Sequence, residues 1–229
     1  MRDQPRGVWG RGWLRLAVLV VCAAATLATT ACRHPDPTAS PVALKKKNGP
    51  LFLVLIVDTS ASVSGYRGNI CKYVQAAVEQ YGASGPLKVT VINLNEKPSR
   101  DFQKDGEFYA DDVDELLKYI KTVDLKAKGT DVVGALEKAV EYRGYERVEP
   151  RDFKVLCFTD GIIEGPKKYK TYKDFDWGAF KKSGAGIGFY FVDPSVRKEL
   201  EASVKDLNVV IKEKNDALDD VNQEEPKVP

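Results

Sequence analysis

Leu51-Phe52-Leu53-Val54-Leu55-Ile56-Val57 is a continuous apolar run without alternation, and it stops abruptly at Asp58. A strand with one wet face alternates apolar and polar side chains, so an unbroken run predicts a strand buried on both faces, as in a parallel sheet covered by helices. Phe153 to Thr159 and Ile187 to Val192 carry the same signature. Between about Val63 and Tyr81 the apolar residues Ile70, Tyr73, Val74, Ala77, Val78 and Tyr81 recur at helical spacing, and Gly82 supplies a stop. Further helical patterns run from about Asp111 to Val123, Asp131 to Tyr142, Phe175 to Lys182 and Ser195 to Leu207. Lys88 to Leu94 and a short stretch from Asn208 to Lys212 read as strands. Pro98 to Tyr109 fits neither period cleanly and leaves room for a short antiparallel edge strand.

Strands alternating with helices of this length imply an α/β fold: an open, doubly wound, mostly parallel sheet with helices on both faces, Rossmann-like in layout. Ligands of such sheets bind beyond the carboxyl ends of the strands. Function is therefore sought just after Val57, Thr159 and Val192.

The chain before this domain reads differently. Arg2, Arg6, Arg11 and Arg15 precede an apolar stretch from Leu16 to Leu27, and small residues then lead to Cys32. That order is an export signal. It falls short of the roughly 20 apolar residues of a membrane-spanning helix. Leu27-Ala28-Thr29-Thr30-Ala31-Cys32 resembles a bacterial lipobox, which implies that Cys32 is lipidated. The departure is Thr29, which stands where a lipobox usually has Leu, while Leu27 lies too early. Residues 1–32 are thus read as a signal peptide with a degenerate lipobox, 33–49 as a Pro- and Lys-rich linker, 50–212 as the folded domain, and 213–229 as an acidic tail, either a fraying helix end or disorder. The linker's Lys45-Lys46-Lys47 is either a solvated charge run or a contact for anionic headgroups.

The candidate chemistry lies at the strand ends. Asp58-Thr59-Ser60-Ala61-Ser62 follows the first strand, and its alternate residues Asp58, Ser60 and Ser62 can point the same way where the chain leaves the sheet. Asp160-Gly161 places a second carboxylate after the strand from Phe153, and Thr130, just before a helix, can reach the same place from a third loop. Such groups suit a small hard cation. Mg²⁺ takes oxygen ligands at ~2.1 Å in near-octahedral geometry and is usually held by one or two carboxylates. Neutral hydroxyls bind it without quenching its charge, so the ion can accept one more anionic oxygen. Mn²⁺ is a second candidate, whereas two acids are few for tight Ca²⁺ binding.

Taken singly, Ser60, Ser62 and Thr130 can instead be helix caps, and Asp160-Gly161 a turn. Asp193-Pro194 after the third strand is fully explained as an N-cap with Pro at the first helical position. Jointly, Asp58, Ser60, Ser62, Thr130 and Asp160 resemble, in order, the metal-ion-dependent adhesion site of von Willebrand factor A domains and integrin inserted domains. The resemblance spans about Pro50 to Lys212. It implies that Ser60 and Ser62 coordinate directly, Thr130 directly or through water, and Asp58 and Asp160 chiefly through water. It also implies a protein partner that completes the sphere with an Asp or Glu carboxylate.

Two other functions compete with this metal-dependent binding module. A phosphohydrolase of the haloacid dehalogenase type also places Asp after its first strand, but it needs a second Asp where this chain has Ser60, so the general acid is missing. The chain's 1 histidine, His34, lies in the linker, which removes a Ser-His-Asp arrangement or a His-built zinc site from the domain. No enzyme is expected. A scaffold with a structural metal is the other alternative. The formal net charge of +2 gives no warrant for nucleic-acid binding. After Asp160 the chain carries Lys167, Lys168, Lys170 and Lys173 among Tyr169, Tyr172 and Phe175. This loop either presents a basic, aromatic rim to an acidic partner or folds its aromatics inward. Cys71 and Cys157 read as buried thiols, although export permits a disulfide.

Overall fold

The computed structural model describes residues 50–103, 108–164, 171–181, 185–222 and 228–229. The signal segment, Cys32, the linker, and Lys167, Lys168, Tyr169 and Lys170 lie outside the described residues. Strands β1 (Leu51–Asp58), β2 (Leu87–Leu94), β3 (Ser99–Gln103), β4 (Phe153–Phe158), β5 (Gly186–Val192) and β6 (Val209–Glu213) form one sheet in the order β3-β2-β1-β4-β5-β6. All neighbours are parallel except β2 and β3, so Pro98 to Tyr109 does contain an antiparallel edge strand.

The unbroken apolar run of β1 follows from its place. It lies between β2 and β4, and helices cover both of its faces. Phe52, Val54 and Ile56 enter one core with α3 (Val132–Glu146), α4 (Gly178–Lys181) and α5 (Pro194–Ser203). Leu53, Leu55 and Val57 enter the other with α1 (Arg67–Gly82), α2 (Val113–Thr122) and α6 (Lys214–Asn222). Burying each such side chain contributes on the order of 1.5–3 kcal/mol. The sheet is thus doubly wound, and strand order reverses at β1, which makes the gap between the carboxyl ends of β1 and β4 the topological switch point.

Local chemistry sets the helix ends near that gap. Asp131 caps α3 by accepting from the Gly134 backbone N–H at 2.9 Å. A Cβ at Gly134 would stand 2.3 Å from Asp131 Oδ2, so glycine is what lets this cap close. Asp193 caps α5 through the Ser195 N–H at 2.8 Å with Pro194 at the first turn, as its sequence predicts. Arg67, at the start of α1, donates to the carbonyls of Lys121 and Val123, at 2.6 and 2.5 Å, and fastens the end of α2 beside the switch point.

Three places where the structure refines the sequence reading have physical causes. The stretch after Glu213, acidic in sequence, forms α6 and buries Ala217 and Val221 in the core. Its acids find partners in the fold: Asp220 accepts from Tyr73 Oη at 3.2 Å and pairs with Lys212 at 3.1 Å. Phe191, with φ 70°, sits in the left-handed region. The irregularity between Tyr190 and Val192 turns both Tyr190 and Phe191 toward the α1 side, where Phe191 stacks on Tyr66 at 5.3 Å. The helix expected over Phe175 to Lys182 is described only at Gly178–Lys181, after a 3₁₀ turn at Tyr172–Asp174. Cys71 and Cys157 are both buried and free. Among the described residues no helix is long and apolar enough to cross a membrane.

Candidate metal centre at the switch point

Asp58 ends β1 with 0% of its surface exposed. Its Oδ1 accepts from the Ser60 backbone N–H at 2.8 Å and its Oδ2 from the Thr159 hydroxyl at 2.8 Å. Ser60 Oγ lies 2.7 Å from Ser62 Oγ, and Ser62 Oγ donates to Asp160 Oδ2 at 3.0 Å. The other Asp160 oxygen accepts from the Ile162 N–H at 2.9 Å. Asp58, Ser60, Ser62 and Asp160 are therefore drawn together from the carboxyl ends of β1 and β4.

Thr130 stands in the adjoining loop and makes no direct hydrogen bond to those four among the described residues. It is tied to the Asp160 loop instead. Its hydroxyl donates to the Ile162 carbonyl at 2.5 Å, and its backbone exchanges hydrogen bonds with Glu164 at 3.2 and 3.0 Å. The same loop is bridged to β1's exit, where the Ala127 N–H donates to the Thr59 carbonyl at 3.2 Å.

The capping alternatives fail on this geometry. Ser60 occupies the N-cap position of the 3₁₀ turn Ala61–Tyr66 without a side-chain cap bond, and α1 begins after Tyr66, not after Ser62. Asp131, not Thr130, caps α3. Asp160-Gly161 is indeed a turn, with Gly161 at φ 81°, but Asp160 also reaches Ser62.

Burial pushes the Asp58 carboxyl above the ordinary carboxylate value. Hydrogen bonds from Ser60 and Thr159 oppose that rise, and the neighbouring charge of Asp160 adds to it. Among the described residues no Lys or Arg forms an ion pair with Asp58 or Asp160. A buried carboxylate without a counter-charge is costly unless a cation or hydrogen bonds compensate it. The donor set fits a hard cation. A hydroxyl keeps lone pairs after donating its proton, so Thr130 and Ser62 can still offer oxygen to a metal. Among the described residues no group of three or more His, Cys, Asp or Glu gathers. A cation here would rely on hydroxyls as much as on acids, which matches Mg²⁺ chemistry and not a thiolate or imidazole site. The nearby Cys157 is no thiolate: burial, with the Asp58 charge in addition, holds its thiol well above its ordinary value.

The sequence reading did not single out Thr159, Thr59 or Arg67. Thr159 carried a signal, since it is the polar residue closing an otherwise apolar run. Thr59 donates to the Leu94 carbonyl at 2.9 Å and fastens the exit of β1 to β2. Of the aromatics after Asp160, Tyr172, Phe175 and Trp177 are buried, so these fold inward and do not form a rim. Tyr172 Oη donates to the Gly161 carbonyl at 2.7 Å.

An open, doubly wound sheet with one antiparallel edge and this strand order is the fold of von Willebrand factor type A domains, and the solved structures bear that out. Proximal thread matrix protein 1 from the mussel byssus is similar with a TM-score of 0.54 at 16% identity, over 77% of this chain and 45% of that one. The same mussel protein was also solved with a zinc-occupied MIDAS motif, at a TM-score of 0.52 and 16% identity. A von Willebrand factor type A protein from Catenulispora acidiphila gives 0.52 at 14% identity, over 78% of this chain and 42% of that one. The chain thus spans less than half the length of these proteins. At this identity the likeness concerns the fold. No protein-family model and no curated protein matches the chain.

Proposed function

We propose that this chain is a non-enzymatic, metal-dependent protein-binding module, exported and held on the bacterial envelope by a lipid on Cys32. Asp58, Ser60, Ser62, Thr130 and Asp160 hold a divalent cation, Mg²⁺ or Mn²⁺. Two carboxylates balance its charge, and the partner protein contributes an Asp or Glu carboxylate to it. The observation that carries this reading is the fully buried Asp58, which forms no ion pair with a Lys or Arg among the described residues, beside the hydrogen-bonded group of Ser60, Ser62 and Asp160. The fold supports it by setting these groups at the switch point, where open α/β sheets bind ligands.

Calorimetric titration of Mg²⁺ and Mn²⁺ into the protein, beside Asp58→Ala and Ser60→Ala, tests the site. The reading expects binding in the parent that both variants lose. Partner capture that persists unchanged in EDTA would count against a metal-mediated contact. Incorporation of labelled fatty acid that survives Cys32→Ser would overturn the anchor. One observation favours a second reading: Ser60, Ser62 and Asp160 already satisfy one another, as they would in a scaffold that needs no cation. Absence of metal binding in the parent would put that reading first.

A further inference from the structure

We infer that Thr159, which supplies no ligand in the site proposed above, is a positioning residue whose hydroxyl locks the two acidic ligands together and sets the affinity for the cation. The inference rests on the metal-binding reading. Thr159 is fully buried, at 0% exposure. Its Oγ1 donates to Asp58 Oδ2 at 2.8 Å and accepts from the Gly161 N–H at 3.1 Å. A hydroxyl has one proton and two lone pairs, so both bonds form at once and each has a fixed sense. The proton grips the carboxylate that ends β1. The lone pair grips the turn that carries Asp160 beyond β4.

The rest of that turn is anchored independently. The Asp193 N–H donates to the Asp160 carbonyl at 2.8 Å, and Tyr172 Oη to the Gly161 carbonyl at 2.7 Å. Asp58 has its other oxygen held by the Ser60 N–H. Among the described residues, Thr159 is thus the side chain that bonds both to Asp58 and to the Asp160-Gly161 turn. Loss of the hydroxyl leaves Asp58 held through Ser60 without the Thr159 bond to its Oδ2, and leaves the Gly161 N–H without this partner. Mg²⁺ demands near-ideal octahedral geometry at ~2.1 Å, so small misplacements of its acidic ligands are felt in affinity. Groups that orient metal ligands typically contribute 10–100-fold to metal affinity, and the same range is expected here.

The test compares the full chain, purified in detergent, with Thr159→Val, Thr159→Ala and Thr159→Ser. Affinity for Mg²⁺ and Mn²⁺ is read by calorimetry, and melting in EDTA reports fold stability separately. Val and Ala should weaken the cation by roughly 10-fold or more, while Ser, which keeps the hydroxyl, stays within about 3-fold. Ala carries the test if the Val variant does not fold. A folded Val or Ala variant that binds within about 3-fold of the parent overturns the inference, whatever its melting temperature, because Thr159 then serves only the fold. A parent that binds neither ion overturns the metal-binding reading itself, and this inference with it.

Discussion

Glu146, partly buried at the end of α3, and Asp58, fully buried at the end of β1, are both carboxylates, and the chain treats them in opposite ways. Glu146 is paired with Lys88 at 2.8 Å and with Arg100 at 3.4 Å, and Arg100 also lies 4.6 Å from the centre of the Tyr142 ring. Those cations hold its carboxyl below the ordinary value, the Lys88 hydrogen bond contributing most. Asp58 is more deeply buried, receives hydrogen bonds from Ser60 and Thr159 and forms no ion pair among the described residues, and burial pushes its carboxyl up. A charge that serves the fold is neutralised by the fold. A buried carboxylate that has hydrogen bonds but no ion pair among the described residues is the kind of group the proposed cation would balance.

Variants can break this contrast, beginning with the largest effect. Asp58→Ala should lower Mg²⁺ affinity on the order of 100-fold by calorimetry, while Glu146→Gln leaves it unchanged. Equal affinity in parent and Asp58→Ala would erase the distinction between the two acids. Thr130→Val keeps shape but removes an oxygen, and should weaken the ion by roughly 10-fold in the same titration.

Glu146→Gln should cost about 0.5–1 kcal/mol of stability at pH 7, read from denaturant midpoints, the range of partly exposed ion pairs. Its carboxyl is lowered in the folded state, so the pair's contribution is present above the unfolded value of about 4.3 and fades as pH falls through the folded value. Parent and variant should therefore converge in acid and differ less at high salt. The smallest effect, and the one of opposite sign, belongs to Asp58→Asn in EDTA. Removing a buried charge that has hydrogen bonds but no ion pair among the described residues should leave the melting temperature unchanged or slightly raised. A fall of several degrees would mean that hydrogen bonds alone compensate Asp58.

Much of this arrangement is legible in the sequence because it obeys short-range rules. The unbroken runs of β1, β4 and β5 announce central strands, and the polar residues that end them mark the carboxyl edge. Asp193-Pro194 declares its own cap. What escapes is whatever depends on a distant partner. The residues of α6 read as either a fraying helix end or disorder because their apolar face is narrow, and because Asp220's partners, Lys212 and Tyr73, lie outside the helix. Phe191 adopts a left-handed backbone without the glycine that usually signals one, held by its packing on Tyr66 and Tyr73. Thr159 shows a polar break in the sequence, but its double role appears only when β1 and β4 lie side by side.

The edge strand β3 carries a consequence of another kind. A bare strand margin invites the margin of another copy, and stacking of that sort leads to insoluble aggregates. Here the outermost strand is short, reads Ser-Arg-Asp-Phe-Gln, and turns its uncharged aromatic, Phe102, onto Tyr119 at 5.2 Å. Arg100 and Asp101 are engaged within the domain, through Glu146 and Asn93, and still leave charge along the margin. Copies of this chain at high concentration are thereby discouraged from zipping together along that margin.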